Sequence, residues 1–370
     1  MKQWINATVL LEDGAFHKTT VTTEGGIIRS VGGGGNADEV IDCAGKTLLP
    51  GLVDIHTHGR AGYDFTTATA EQMKRMKEDY AEHGVTSLFP TLASATPEQW
   101  KGAIANIAAC GFAGVHLEGR YLNPSKRGAH APNLLAPLDP AELEWVLSEN
   151  TLPCHLTAAW ELDADGAFAA CAKRLGATLS LGHTMATTEE TLLAIRRGVT
   201  CFTHLCNAMP PLHHRAGGAV CAALTTDTDA ELIVDGIHVC PEMVRLIYQC
   251  KGKDRLILVT DSMEATGCPD GVYSIAGQEV FVRNGRAETT DGKLAGSTLD
   301  LWDGVKNLMR FASVSLEDAV RCATLNPARA VGIDKNVGGI APGKKADLLL
   351  VNRNLEIEAV LTEEKLIRLS

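Results

Sequence analysis

From Leu52 onward the chain alternates between two rhythms. Short apolar runs give way to longer stretches in which apolar residues recur every three or four positions. The first rhythm fits buried strands and the second amphipathic helices, so together they predict successive βα units around a parallel sheet. Eight apolar runs can be counted: LVDIHTH, VTSLFPT, GVHLEG, CHLTAAW, ATLSLGHT, VTCFTHL, ELIVDGIH and LILVTDS. Plausible helices between them include TAEQMKRMKEDYAEHG, PEQWKGAIANIAACG and TTEETLLAIRRG. Several open on Thr or Asp and close on Gly, as helix caps should. Eight such units predict an α/β fold, a (β/α)8 barrel of the TIM type.

The two ends of the chain read differently. ATVLLEDG, KTTVTTEGGIIRSVGGGG and EVIDCAGKTLLP are short strands split by turns, and GGIAPGKKADLLLVNRNLEIEAVLTEEKLI has the same character. Neither end alone buries much, so residues 1–48 and 336–370 are expected to pair into a small β-sandwich domain beside a barrel of residues 49–335. The segment from Asp270 to Thr290 reads as a hairpin inserted after the eighth strand. The run Gly32 to Gly35 reads as a loop, since it matches neither a dinucleotide nor a P-loop spacing.

Polar residues fall at one end of the runs. His56, His58, Glu118, Glu161, His183, His204, His238 and Asp261 all lie at the C-terminal ends, which is where barrels of this kind build their active sites. His56 and His58 are two apart on a strand, so both imidazoles face one point. Neutral imidazole is a leading ligand for transition metals.

Composition narrows the partners. The chain has 370 residues, 45% apolar and 21% charged, which suits a globular protein with a sizeable core. A net charge of −11 without a basic run argues against nucleic acid. No stretch approaches a membrane span or a secretory signal, and 11 scattered cysteines without a C-x-x-C pair fit reduced thiols, so a cytoplasmic, membrane-free protein is expected.

Glu118, His183 and His204 offer one oxygen and two nitrogens, the set expected around a catalytic Zn²⁺ or Fe²⁺ with a position open to water. His56 and His58 add room for a second metal, and Asp261 is placed to be a general base. His238 is a candidate donor to the oxygen that turns negative during amide hydrolysis. Glu161 is as readily a supporting carboxylate. His213, His214 and Arg215 form a small cationic cluster suited to phosphate. His130 is ambiguous, Cys201 and Cys206 merely flank His204, and His17, His83, His116 and His155 read as structural or solvated.

With these segments assembled, the chain resembles the amidohydrolase superfamily and, within it, the N-acetylglucosamine-6-phosphate deacetylases. The similarity rests on PGLVDIHTHG, HLEGRYLNPSKRGAHAP, LGHTMA, THLCNAMPPLHHR, DGIHV, VTDSMEATG, KLAGSTL and TLNPARAVGI followed by GGIAPGKKADLLLVN, in the family's order. The resemblance implies metal ligation by Glu118, His183 and His204, acid/base catalysis by Asp261 and contact of His238 with the acetyl carbonyl. It further implies phosphate binding by Asn207, Ala208 and Arg215, a place for His130 near the sugar, and a homodimer in which the arginine serves a neighbouring subunit. One or two metals, Zn or Fe, are implied, with His56 and His58 intact for the second.

Three positions depart from the family pattern: Trp160 in AlaTrpGlu, Met185 and Arg120. The indole is expected near the barrel mouth, where it could reshape the sugar pocket. The expected reaction is hydrolysis of the acetamido group of N-acetylglucosamine 6-phosphate to glucosamine 6-phosphate and acetate. The galactosamine epimer and other amides stand as alternatives, together with a non-catalytic scaffold. CHLTAAWE carries no lysine to bridge two metals, which counts against a dihydroorotase-like site.

Overall fold

The structure, a computed structural model, describes residues 1–33 and 36–369; Gly34 and Gly35, half of the glycine run read as a loop, lie outside the described residues with Ser370. Each of the eight apolar runs supplies a barrel strand: Leu52–Thr57, Val85–Leu92, Val115–Glu118, Cys154–Ala158, Thr178–Leu181, Val199–Phe202, Asp229–Leu232 and Leu256–Leu258. Each pairs in parallel with the next, in chain order. The seam between first and eighth is held by Thr260 Oγ1 donating to Asp54 Oδ2 at 2.6 Å and Asp261 N donating to His56 O at 2.9 Å. The sheet is therefore nearly closed.

The helices form where their caps dictate. Ala70–Glu82 and Pro97–Ala109 open with capping boxes, Thr69 with Gln72 and Thr96 with Gln99. Thr188–Arg197 has Thr187 with Glu190, acidic residues in its first turn, Arg196 and Arg197 in its last, and Gly198 at φ 119° closing it. Side chains there answer the free backbone amides and the helix dipole together. Met73, Met76, Tyr80, Trp100 and Phe168 pack the helical ring on the barrel.

The barrel's interior is polar. His56, His116, His155, Thr91, Thr157, Ser180, Thr203 and Glu231 are all fully buried. His116 bridges Thr91 and Thr157 at 3.0 and 2.8 Å, and Thr203 bonds both Thr157 and Ser180. Hydrogen bonds between non-adjacent strands are possible only through the middle of a barrel, and TIM-type barrels more often fill that space with Val, Ile and Leu.

Strands from both ends of the chain make one further sheet. Its order runs Lys365–Arg368, Ile357–Thr362, Leu348–Val351, Thr47–Pro50, Lys2–Leu10, Phe16–Glu24, Ile27–Val31, with Glu39–Asp42 also on Lys2–Leu10. The sheet curls over its own core of Trp4, Val9, Val21, Ile28, Leu48, Leu348 and Leu361. Ile28 N donates to Lys344 O and Ala346 N to Gly26 O, both at 2.8 Å, tying the Ile27–Val31 edge to the segment that leads into Leu348–Val351. Only Gly51 separates Thr47–Pro50 from the first barrel strand, so this sheet braces the barrel.

The expected hairpin over Asp270 to Thr290 is a three-stranded meander instead: Gly271–Ile275, Gln278–Arg283 and Arg286–Thr289. Asn284 and Gly285, both at positive φ, form a second tight turn of the kind that Asn-Gly favours. Among the described residues no helix is long and apolar enough to cross a membrane.

Candidate metal centre and active site

Where the strands end, the backbone turns left-handed at residues that are not glycine. His183 (φ 51°), His204 (φ 31°) and Asp261 (φ 48°) sit there, and Ala208 (φ 50°) lies in the loop beyond the sixth strand. Such conformations cost on the order of 1–3 kcal/mol each and persist where the surroundings enforce them. Here they swing the side chains over the barrel mouth.

Glu118, at the end of the third strand and 2% exposed, organises that mouth. Its two carboxylate oxygens face two different histidine pairs. Oε1 lies 3.2 Å from His183 Nε2 and 3.0 Å from His204 Nε2. Oε2 lies 3.3 Å from His56 Nε2 and 2.9 Å from His58 Nε2, and Asp261 Oδ1 completes this second group at 3.5 and 3.3 Å from the same nitrogens. Atoms bound at 2.0–2.1 Å around one tetrahedral Zn²⁺ lie about 3.3 Å apart, so both groups have the spacing of a metal's ligands. The donor atoms also lack better partners. His183 Nε2 and His204 Nε2 face one another at 3.1 Å, and buried His56 Nε2 makes no hydrogen bond. These residues could hold one or two divalent metals.

Electrostatics bind the cluster to cations of some kind. Burial opposes charge on Glu118, yet His56, His183 and His204 hold it well below the carboxylate range. Asp261 is likewise lowered against burial, by His56 and His58. In return the carboxylates raise His56 well above the usual imidazole value and His58 to about 9, again against burial. The buried carboxylates and imidazoles thus favour one another's charged forms.

The cavity above this cluster measures about 390 Å³ and is lined by His58, Glu118, His130, His183, His204, Asn207, Ala208, His238 and Asp261. His130 is depressed to about 3 by burial and by His183, so its ring is neutral. Ser94 N donates to its Nδ1 at 3.3 Å, which leaves the proton on Nε2, 3.8 Å from Glu118 Oε2. That proton is a fixed donor at the centre's edge. His238 is held by Nδ1–H donation to Asp235 at 2.6 Å, and Asp235 also accepts from the amides of Ile237 and His238.

The amidohydrolase family model matches residues 47–366 of this chain. The chain belongs to the amidohydrolase family. It is 35% identical over 335 residues to the N-acetylgalactosamine-6-phosphate deacetylase of Escherichia coli O157:H7, covering 87% of this chain and 88% of that one. It is also 35% identical over 328 residues to the N-acetylglucosamine-6-phosphate deacetylase of Bacillus subtilis (strain 168), covering 85% and 83%. A variant of the Mycobacterium smegmatis N-acetyl-D-glucosamine-6-phosphate deacetylase, solved in complex with N-acetyl-D-glucosamine-6-phosphate, superposes with a TM-score of 0.92 at 33% identity over 100% of this chain and 99% of that one.

Not every candidate reaches this amidohydrolase's pocket. Arg215 is exposed, its guanidinium 2.6 Å from His214 Nε2, and the His213 and His214 rings lie 4.5 Å apart at a 39° tilt; none of the three lines the cavity. Glu161 is a support: it accepts from Asn123 Nδ2, Thr184 Oγ1 and Met185 N at 2.6–3.0 Å and so shapes the loop carrying His183. Trp160 departs from expectation. It is 3% exposed, donates its indole N–H to Ser180 O at 2.7 Å and packs on Phe168, and it is not among the residues that line the cavity. Arg120 is also absent from that cavity, paired to Glu142. Cys201 is buried and Cys206 half-buried, neither among the lining residues.

Sequence reasoning missed Glu231, fully buried on the seventh strand and bonded to His56, His155 and the His204 amide. The signal was a carboxylate inside the apolar run ELIVDG, which demands buried partners. It also missed Lys293, which stands on the cavity wall with its ammonium on Asp291.

Proposed function

We propose that this protein hydrolyses the N-acetyl group of N-acetylglucosamine 6-phosphate, giving glucosamine 6-phosphate and acetate. The observation that carries the reading is Asp261, a carboxylate 3.5 and 3.3 Å from His56 Nε2 and His58 Nε2 in a cavity that Glu118, His183 and His204 also line. Glu118, His183 and His204 would hold the main metal and His56 and His58 a second, Zn or Fe. When bound, a metal polarises an amide carbonyl and brings the pKa of water toward ~7.

Asp261 accepts a proton from the attacking water as the new C–O bond forms, and returns it to the sugar nitrogen as the C–N bond breaks. Acetate leaves with the water's oxygen and the amino sugar phosphate keeps the proton. His130 Nε2–H donates to the oxygen that becomes negative, and His238, turned by Asp235, stands where it can contact the same acetyl oxygen or an adjacent hydroxyl. Asn207 and Ala208 line the phosphate end of the cavity. Arg215, exposed and outside its own cavity, serves the phosphate of a neighbouring subunit in a homodimer. Its eleven free thiols fit a cytoplasmic location.

Acetate release from the 6-phosphates of N-acetylglucosamine and N-acetylgalactosamine, with unphosphorylated N-acetylglucosamine as control, tests the reading. Fast turnover of the phosphorylated glucosamine substrate is expected. No release from any of the three ends it, and preference for the galactosamine epimer moves the substrate.

A further inference from the structure

Glu231 has no part in the chemistry above, yet it is the only carboxylate among the described residues that reaches both the metal cluster and the polar net beneath it. Oε2 accepts from His56 Nδ1 at 2.9 Å and from His204 N at 3.2 Å, while Oε1 lies 3.1 Å from His155 Nε2. His155 is in turn tied to Thr178 Oγ1 at 2.8 Å through Nδ1, so the carboxylate is itself fixed.

The consequence follows from imidazole chemistry. A neutral ring carries one proton, and an acceptor at Nδ1 keeps it there, leaving the Nε2 lone pair free. For His56 that lone pair faces Glu118 Oε2 and Asp261 Oδ1 and has no hydrogen bond of its own. The other first-pair ligand, His58, has no partner at Nδ1, so His56 is the only anchored imidazole of its pair. His183 has the matching anchor in the other group, donating from Nδ1 to Lys126 O at 2.7 Å. The alternative that His155, Cys201 and Glu231 form a separate metal site fails because both nitrogens of His155 and both oxygens of Glu231 are already engaged.

We propose that Glu231 is a positioning residue that sets the tautomer and aim of His56, and that it decides whether the His56/His58 half of the centre holds a metal. The inference rests on the metal-site reading above but is independent of the substrate, because its readout is bound metal and not turnover. Partners of this kind are worth roughly 10–100-fold in metal affinity.

The test is calorimetric titration of chelator-stripped protein with Zn²⁺, with bound metal counted by elemental analysis. The wild type is expected to show two binding events. Glu231→Gln, whose amide can present N–H to His56, is expected to lose one event or weaken it 10–100-fold and to keep the other. Two unchanged events in Glu231→Gln, or a single event in the wild type, overturn the proposal. His56→Gln and the double variant complete a cycle: if Glu231 acts through His56, the double matches His56→Gln, whereas a further loss at the remaining site assigns Glu231 to the fold at large. Should Glu231→Gln fail to fold, histidine-selective ¹⁵N spectra of the zinc-loaded wild type decide the matter, with Nδ1–H expected at His56 and Nε2–H overturning it.

Discussion

Metal affinity of the stripped protein should rise steeply with pH. His58 is held at about 9 because Asp261 and Glu118 outweigh the burial that opposes its charge, and His56 and His204 are raised in the same field. A metal binds only the neutral ring, so near pH 7 it must displace the His58 proton. The two units between pH 7 and about 9 correspond to roughly 2.7 kcal/mol, or about a hundredfold in apparent affinity, for this proton alone. Protons on His56 and His204 can only steepen the dependence. Competition with a chromophoric chelator across pH 6.5 to 9 reads it directly, and log K is expected to climb at one unit or more per pH unit. The same shift has a stability sign. A raised imidazole stabilises the metal-free fold fully below the unfolded value of ~6.5 and loses that contribution as pH rises through about 9. The metal-free protein should therefore soften toward pH 9 while the loaded one does not. An affinity flat between pH 7 and 9 would refute the picture of protons standing in for metal.

Asp261→Asn should keep the main metal, measured by elemental analysis, while turnover falls by about 10²–10⁴; retained turnover removes Asp261 from proton transfer. Arg215→Ala should raise KM for the phosphorylated sugar and leave slow hydrolysis of the bare sugar unchanged, and equal losses on both speak against a phosphate role. Trp160→Ala should lower stability by about 3–5 kcal/mol in denaturant melts without altering the choice between epimers, since the indole is buried against Phe168 and Ser180; a changed choice would return it to the sugar cavity.

The barrel was legible because both of its signals are periodic: each apolar run became a strand, and capping pairs such as Thr187 with Glu190 marked where a helix had to begin. The convergence of Glu118, the four histidines and Asp261 at the barrel mouth was legible for a related reason, since a polar residue at the end of a buried run has few places to go. What escaped depended on contacts across the barrel. Glu231 meets His56 and His155 from strands that are distant in sequence, so no local spacing announces the trio. Trp160 was read toward the cavity from its place in the chain, but the short helical turn Trp160–Leu162 carries its indole back to Ser180 O. The segment from Asp270 to Thr290 reads as a two-stranded hairpin, and its extra strand Arg286–Thr289 hung on one further turn at Asn284 and Gly285.

The shared terminal sheet also orders events during synthesis. Thr47–Pro50 lies between Lys2–Leu10 and Leu348–Val351, and the latter leaves the ribosome only after every barrel strand. At translation rates of about 5–20 residues per second, one edge of that strand, with Leu48 and Leu49, waits on the order of tens of seconds for its neighbour. An uncovered strand edge invites pairing with other chains. The nascent protein should thus be most vulnerable to aggregation, and most dependent on chaperones, while its barrel is almost complete and its last few strands are still unmade.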